Sequence, residues 1–444
     1  MGQRQQWGMG AIRVGIQAIA NAAGSLMLLG LVGWSQGAQM EPAFANPFAG
    51  TFRPQPVQPQ PSLIAQQSQA VNPKLVSANT RFGLKLFSEI LKRDSNKNVF
   101  VSPSSVAIAL SMAYNGANGE TQQAMARALN VQGMSLEELN RGNADLRELL
   151  QNPDPKVQLA IANSLWARQG VPFKPEFIQR NQQFYGAKVA ELDFADSQAA
   201  SIINNWVNQN TRGKISKIID TINPNDVMFL INAIYFKGNW SNQFDKQQTS
   251  QKPFYLLGGS QKQHPMMNQQ GEYRYYEDAQ IQAVSLPYGE RRRMSMYIVL
   301  PKKPSNLSDF YTNLTAETWE SLISRLSTRQ GTIQIPKFKL EYSIELKQAL
   351  SALGMAAAFG DRADFSNLSQ APTKIDEVKH KTFVEVNEEG TEAAAVTSIG
   401  IRATSIRIPE EPFRMVVDRP FFCAIRDNQT GAVLFMGSIV DPKV

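Results

Sequence analysis

The chain has 444 residues, 43% of them apolar, so it can bury a sizeable core and is not a wholly disordered chain. Its 45 basic against 38 acidic side chains leave +7, a weak excess for this length that gives no reason to expect a nucleic-acid partner. One cysteine, Cys423, and two histidines, His264 and His380, exclude an intrachain disulfide framework, a cysteine zinc cluster and a histidine-rich metal site, and leave little room for a histidine-dependent hydrolase.

At the N-terminus, Arg4 and Arg13 precede an uncharged stretch from Val14 to Met40 whose most apolar part is Leu26 to Trp34. Ala43-Phe-Ala45 follows. A basic start, an apolar run and small residues form the pattern of a secretory leader cut after Ala45. The alternative is an uncleaved anchor that tethers the protein, but Asn21, Ser25 and the glycines weaken a spanning helix. Residues 1–45 are therefore expected to be a signal peptide, and the protein to be secreted, extracellular or periplasmic. Gly33-Trp-Ser-Gln-Gly37 has the spacing of a nucleophile elbow, but it lacks the strand and helix that the elbow needs and reads as chance. Residues 46–77 hold six prolines and six glutamines in 32 positions, the composition of a flexible, partly extended linker.

Residues 78–444 read as the folded domain. Phe82, Leu86, Phe87, Ile90 and Leu91 recur at helical spacing between Asn79 and Arg93. Ser102-Pro103 predicts a capped helix start, continued from Val106 to Tyr114. Thr121 to Leu129 is a short helix, and Ser135-Leu-Glu-Glu138 is a capping box that opens a helix to about Leu150. Strands follow. Val157 to Trp166 alternates, and Val227 to Phe236 is apolar nearly throughout, so it must be buried on both faces, with Asn232 its one strongly polar residue. Met294 to Leu300 and Gly331 to Phe338 are further strands, Glu345 to Leu353 a helix, and Lys381 to Val386 strand-like. Arg291-Arg-Arg293 follows Tyr288-Gly289 and reads as a solvated hairpin turn. The chain ends in a hairpin: Phe421 to Ile425, a turn at Asp427 to Gly431, then Ala432 to Val440. Helices and strands are segregated rather than alternating, so the fold class is α+β.

Residues 388–409 fit no ordinary element. Gly390 gives a flexible point, and small residues fill nearly every position to Ser398. Thr391, Ala393, Ala395 and Thr397 would share one face of a strand, all small and uncharged. Glu392, Ala394, Val396 and Ser398 would share the other. Such a segment could enter a sheet with its small face inward, whereas a charged inward residue would block entry. An Ala-rich helix or a plain surface loop is the simpler alternative.

Several motifs in order make the chain resemble a serpin, a family of protein inhibitors of serine and cysteine proteases. Asn98 to Ser105 resembles the start of the family's second helix, and Asn232 to Trp240 the third strand of its sheet A with the exit that follows. Val384 to Ala395 is similar to the hinge of its reactive centre loop, and Asp418-Arg-Pro-Phe-Phe422 and Leu434-Phe-Met-Gly437 to its C-terminal signature. The resemblance implies helices packed around three β-sheets, with a large central sheet A and an exposed reactive loop. It implies a hinge at Glu388, Gly390, Thr391, Glu392, Ala393, Ala394 and Ala395. It places Ser102, Ser105, Asn232 and His380 in the shutter, where sheet A parts, and Trp240 in the breach, where insertion starts. Counting from Glu388, the family's spacing puts the cleaved bond between Thr404 and Ser405, a bond that suits an elastase-like protease. Arg402 and Arg407 are trypsin-like alternatives nearby.

The function so implied is suicide-substrate inhibition of a serine protease, elastase-like or trypsin-like, with cysteine proteases a second class of target. The inhibitor would be a monomer that needs no metal, cofactor or catalytic base. Basic side chains are few in residues 135–150, Arg141 and Arg147 against four acids, so no polyanion-binding helix is expected. The rival readings are a non-inhibitory carrier or chaperone of the same family, a secreted hydrolase and a plain surface-binding protein.

Overall fold

The structure is a computed structural model that describes residues 71–151, 153–391 and 411–444. The first helix, α1 (Pro73–Asp94), starts inside the stretch read as linker. Asn72 caps it by accepting from the Lys74 N–H at 2.9 Å, and proline at its first position needs no donor. Val71, Leu75 and Val76 are buried, so these residues belong to the core rather than to a tether.

A short strand, β1 (Val99–Val101), leads into α2 (Pro103–Tyr114), α3 (Gly119–Leu129) and α4 (Leu136–Gln151). Every residue of α2 is buried, which its apolar and small composition permits on all faces. At α4 the capping box is present, with Glu138 N–H donating to Ser135 Oγ and Ser135 N–H to Glu138 Oε2. The middle of the chain supplies β2 (Val157–Arg168), α5 (Pro175–Tyr185), β3 (Lys188–Leu192), α6 (Ala199–Asn210) and β4 (Met228–Asn239). Four strands come next: β5 (Ser250–Tyr255), β6 (Gln261–Glu277), β7 (Ile281–Tyr288) and β8 (Met294–Pro301). Then follow α7 (Leu307–Thr312), α8 (Ala316–Arg325), β9 (Ser327–Pro336), β10 (Phe338–Glu345) and the single turn α9 (Lys347–Leu350). The rest is β11 (Glu377–Val386), the two-residue β12 (Gly390–Thr391), β13 (Phe413–Val416), β14 (Phe421–Asp427) and β15 (Val433–Ile439).

The strands form two hydrogen-bonded networks. One has the order β10-β11-β4-β2-β3, with β12 added on β4. In the other, β1-β15-β14-β8-β7-β6-β9-β13, β5 also pairs with β6. The second network joins two of the three sheets that the family resemblance implies, because the 17-residue β6 runs through both. It pairs with β5 over Gln261 to Met266, with β9 over Met266 to Tyr275 and with β7 only at Arg274 to Glu277. Behind the first sheet, α2 packs on β4 and β15, between the two networks. On its front, Ile203 and Val207 of α6 cover Phe229, Ile231 and Tyr235 of β4. Burial of β4 on both faces explains its unbroken apolar run.

Three expectations need correction. The strand expected from Gly331 to Phe338 is two strands, split at Lys337: Pro336 pairs with Met266 in one sheet and Phe338 with Val386 in the other. The alternation continues across the break, so it hides the change of sheet. The helix expected from Glu345 to Leu353 starts two residues later, since Glu345 still pairs with Lys379, and α9 runs on into a π-helical turn, Ser351–Met355, where Gly354 turns to φ 98°. Arg293 is not a solvated turn residue. It donates from Nε (2.9 Å) and Nη2 (2.6 Å) to the fully buried carboxylate of Asp427. Among the described residues no helix is long and apolar enough to cross a membrane.

Candidate functional site

The first polar cluster lies at the middle of the six-stranded sheet. Asn232 of β4 faces His380 of the parallel neighbour β11 on one side and Asn163 of β2 on the other. Three polar side chains therefore sit in one row across three strands. The start of α2 closes the row. The backbone N–H of Ser102 donates to His380 Nε2 at 3.0 Å, so the neutral ring carries its proton on Nδ1 and donates to Asn232 Oδ1 at 2.6 Å. Asn232 Nδ2 in turn donates to Asn163 Oδ1 (2.5 Å), to Ser105 Oγ (2.5 Å) and to the Ser105 carbonyl (3.2 Å). Burial keeps the imidazole neutral and pushes its pKa down to about 3. Next to it, Thr382 Oγ1 donates to the Phe100 carbonyl at 2.7 Å and ties β11 to β1.

Ser102, Ser105, Asn232 and His380 are thus brought together as expected, but Ser102 acts differently. Its side chain makes no cap bond and its Oγ is buried without a partner; its contribution is the backbone donor to His380. Asn163 was not picked out. Its signal was a lone amide inside the alternating strand that pairs with the Asn232 strand.

A second cluster crowns the same sheet, where β11 ends. The chain reverses over Asn387 to Gly390, held by Asn387 Oδ1, which accepts from the N–H groups of Glu389 (3.0 Å) and Gly390 (3.2 Å). Gly390 and Thr391 then pair antiparallel with Asn239 and Gly238 at the end of β4. Gly390 has φ 143°, and a Cβ there would lie 2.2 Å from the Gly238 carbonyl oxygen and 2.5 Å from Asn239 Cα. Only glycine allows so close an approach of two backbones.

Trp240 locks this corner. Its Nε1 donates to the Asn387 carbonyl and its backbone N–H to the Glu389 carbonyl, both at 2.9 Å. Its ring stacks on Tyr288 with centroids 4.4 Å apart, and Tyr288 Oη lies 3.0 Å from Thr391 Oγ1. Glu388 and Glu389 are both buried and paired, Glu388 with Lys337 at 2.9 Å and Glu389 with Lys246. Thr249 Oγ1 also donates to Glu388 at 2.8 Å. Burial alone would raise the Glu388 carboxyl, but Lys337 and Thr249 outweigh it and hold it below the usual range. Glu388, Gly390, Thr391 and Trp240 therefore lie together. The sequence reading missed Lys246, Thr249, Tyr288, Lys337 and Asn387, which come from four separate segments; of these only Asn387 lies inside a motif, the Val384 to Ala395 run. Glu392, Ala393, Ala394 and Ala395, with Arg402, Thr404, Ser405 and Arg407, lie outside the described residues.

Neither cluster pairs a nucleophile with a free base, and the Cys423 thiol is buried and pushed up to about 12. Among the described residues no group of three or more His, Cys, Asp or Glu side chains could hold a metal. The arrangement is a parallel pair, β11 and β4, joined by a polar row, with the two-residue antiparallel β12 on the end of β4. The family model described as Serpin (serine protease inhibitor) matches residues 77–442.

The chain belongs to the serpin family. This serpin is 35% identical over 373 residues to Iripin-2 of Ixodes ricinus, covering 82% of this chain and 93% of the relative. It is 35% identical to the leukocyte elastase inhibitor of Bos taurus, covering 83% of this chain and all of that one. Among solved structures, the native state of the thermophilic serpin tengpin superposes with a TM-score of 0.77 at 34% identity, over 84% of this chain and 95% of tengpin. Human thyroxine-binding globulin also reaches 0.77, at 28% identity, over 84% and 99%. The relatives thus include protease inhibitors and a binding protein, and serpins are not enzymes.

Proposed function

We propose that this serpin inhibits a serine protease by trapping it as a covalent acyl-enzyme. The observation that carries the reading is the pairing of Gly390 and Thr391 on β4, directly above the parallel pair β11–β4. A strand continuing from Thr391 between these two would be antiparallel to both. It would replace one parallel pairing with two antiparallel ones, the slightly stronger kind. The residues that would follow inward, Ala393, Ala395 and Thr397, are small and uncharged.

In this mechanism the protease serine attacks the carbonyl carbon of Thr404, an ester forms, and the amine of Ser405 leaves. The freed loop enters the sheet and carries the bound protease with it before water can reach the ester. Insertion must separate His380 from Asn232, so the row of polar groups sets part of the barrier. Thr404 favours an elastase-like target; cleavage after Arg402 or Arg407 would mean a trypsin-like one. The leader pattern supports secretion, with action outside the cytoplasm.

The test mixes the full-length protein separately with an elastase-like protease, trypsin and subtilisin, followed by denaturing gels and intact mass. A band at the summed mass, with a released fragment starting at Ser405, is the expected result. Clean cleavage by all three, without a covalent band and without a rise in heat stability of the cleaved protein, would overturn the reading in favour of a carrier.

A further inference from the structure

A large surface cavity lies between the C-terminal end of α1, the turn between β5 and β6, and α7. Its volume is about 1000 Å³, the upper end of the usual range for small-molecule clefts, about 300–1,000 Å³. The walls are apolar: Leu91, Tyr255, Leu257, Leu307 and Val440. Tyr255 and Leu257 are 40% and 47% exposed, two of only four large apolar side chains left in water among the described residues. Two such neighbours lining one cleft are a built apolar surface rather than scattered exposure.

The charges are one-sided. Lys92, Lys303 and Arg419 line the cleft, and no carboxylate does. Two of these cations are already engaged. Lys92 pairs with Glu89, and Arg419 pairs with Asp418 while donating to the Pro301 carbonyl. Lys303 has no acidic partner among the described residues; its Nζ sits 5.7 Å from the centre of the Tyr255 ring. An apolar trough with an unpaired cation at its edge complements a ligand that is apolar along its length and anionic at one end.

We propose that this cleft binds an amphipathic monocarboxylate, an acyl chain with one anionic head, with the head at Lys303 and the chain along Leu257 and Leu91. The charge of Lys303 selects the head, and the apolar walls supply most of the affinity. Nothing in this site is shared with the hinge or the polar row, so it stands whether or not the chain inhibits a protease.

The test is calorimetric titration of the full-length protein with octanoate, decanoate and dodecanoate below their micelle thresholds, with decyltrimethylammonium as the same chain under the opposite charge. Affinity is expected to rise about fourfold per added methylene as each is buried. Decanoate should bind at least about tenfold tighter than the ammonium analogue, and Lys303→Met should remove that preference by weakening decanoate about tenfold. Leu257→Ser, at an exposed side chain, should weaken the whole series without changing the charge preference. Absence of binding up to millimolar decanoate would overturn the proposal. So would affinity independent of chain length, or binding untouched by both substitutions.

Discussion

His380 has no place for a second proton. Its Nε2 accepts from Ser102, its Nδ1–H is given to Asn232, and burial pushes its pKa down to about 3. In the unfolded chain it would titrate near about 6.5. Between these values the unfolded state takes up a proton that the native state refuses. The stabilisation is therefore complete above about pH 6.5 and is lost progressively as the pH falls towards 3. At pH 5 the loss should be about 2 kcal/mol from this one ring. His264 is shifted downward as well, by burial first, so the useful quantity is a difference between proteins that both keep it. Between pH 8 and pH 5, the guanidinium midpoint of the wild type should fall further than that of His380→Gln, by an amount equivalent to about 2 kcal/mol. Equal falls in both would mean that the proton on His380 has no bearing on this cluster. The residue itself was legible, because a histidine in a strand-like run had to find partners. Its row was only half legible: Asn163 sits in an alternating strand where an outward amide is ordinary, and only the pairing of β2 with β4 turns it inward to Asn232.

At the scale of elements, α1 shows how one composition can serve two structures. Asn72-Pro73 caps and starts the helix, yet the same residue types continue the Pro/Gln-rich run before it, so the boundary could not be read from composition. The consequence is measurable. Removing residues 1–70 should leave the guanidinium midpoint unchanged. Removing residues 1–77 deletes the cap, the first turn and the buried Val71, Leu75 and Val76, and should cost roughly 3–5 kcal/mol by analogy with core truncations. If the two truncations unfold at the same denaturant concentration, the first turn of α1 adds nothing to the fold. The β14–β15 hairpin was read correctly because its pattern and turn lie within one short stretch. The split of β9 from β10 and the course of β6 were not, because each depends on which distant strand comes alongside. In β6 the neighbour changes from β5 to β7 along its length, with β9 on its other edge, so inward and outward positions follow no single period.

For the whole molecule, the proposed mechanism requires the six-stranded sheet to accept one more strand. The parallel pair β11–β4 is held at its middle by His380 and Asn232, while Gly390 and Thr391 occupy the top of the place the new strand would take. Thr391 is fully buried, with its Oγ1 against Tyr288 Oη. An arginine at this position would put an unpaired charge into that corner, in the uncut form as well as at the start of insertion, at a cost of several kcal/mol. A protease that cuts near Thr404 should still cut Thr391→Arg, since the cleaved bond lies far along the chain from the hinge. What should change is the product. The cleaved wild type should gain paired backbone along the sheet and move its Tm into the hyperstable range, above about 90 °C. Cleaved Thr391→Arg should keep the Tm of its own uncut form and leave the protease active rather than trapped. Scanning calorimetry of the cut and uncut forms of both proteins reads this directly. A large rise in the arginine variant would mean that strand entry does not begin at Thr391, and that the pairing of β12 with β4 is a static turn rather than the first step of a moving strand.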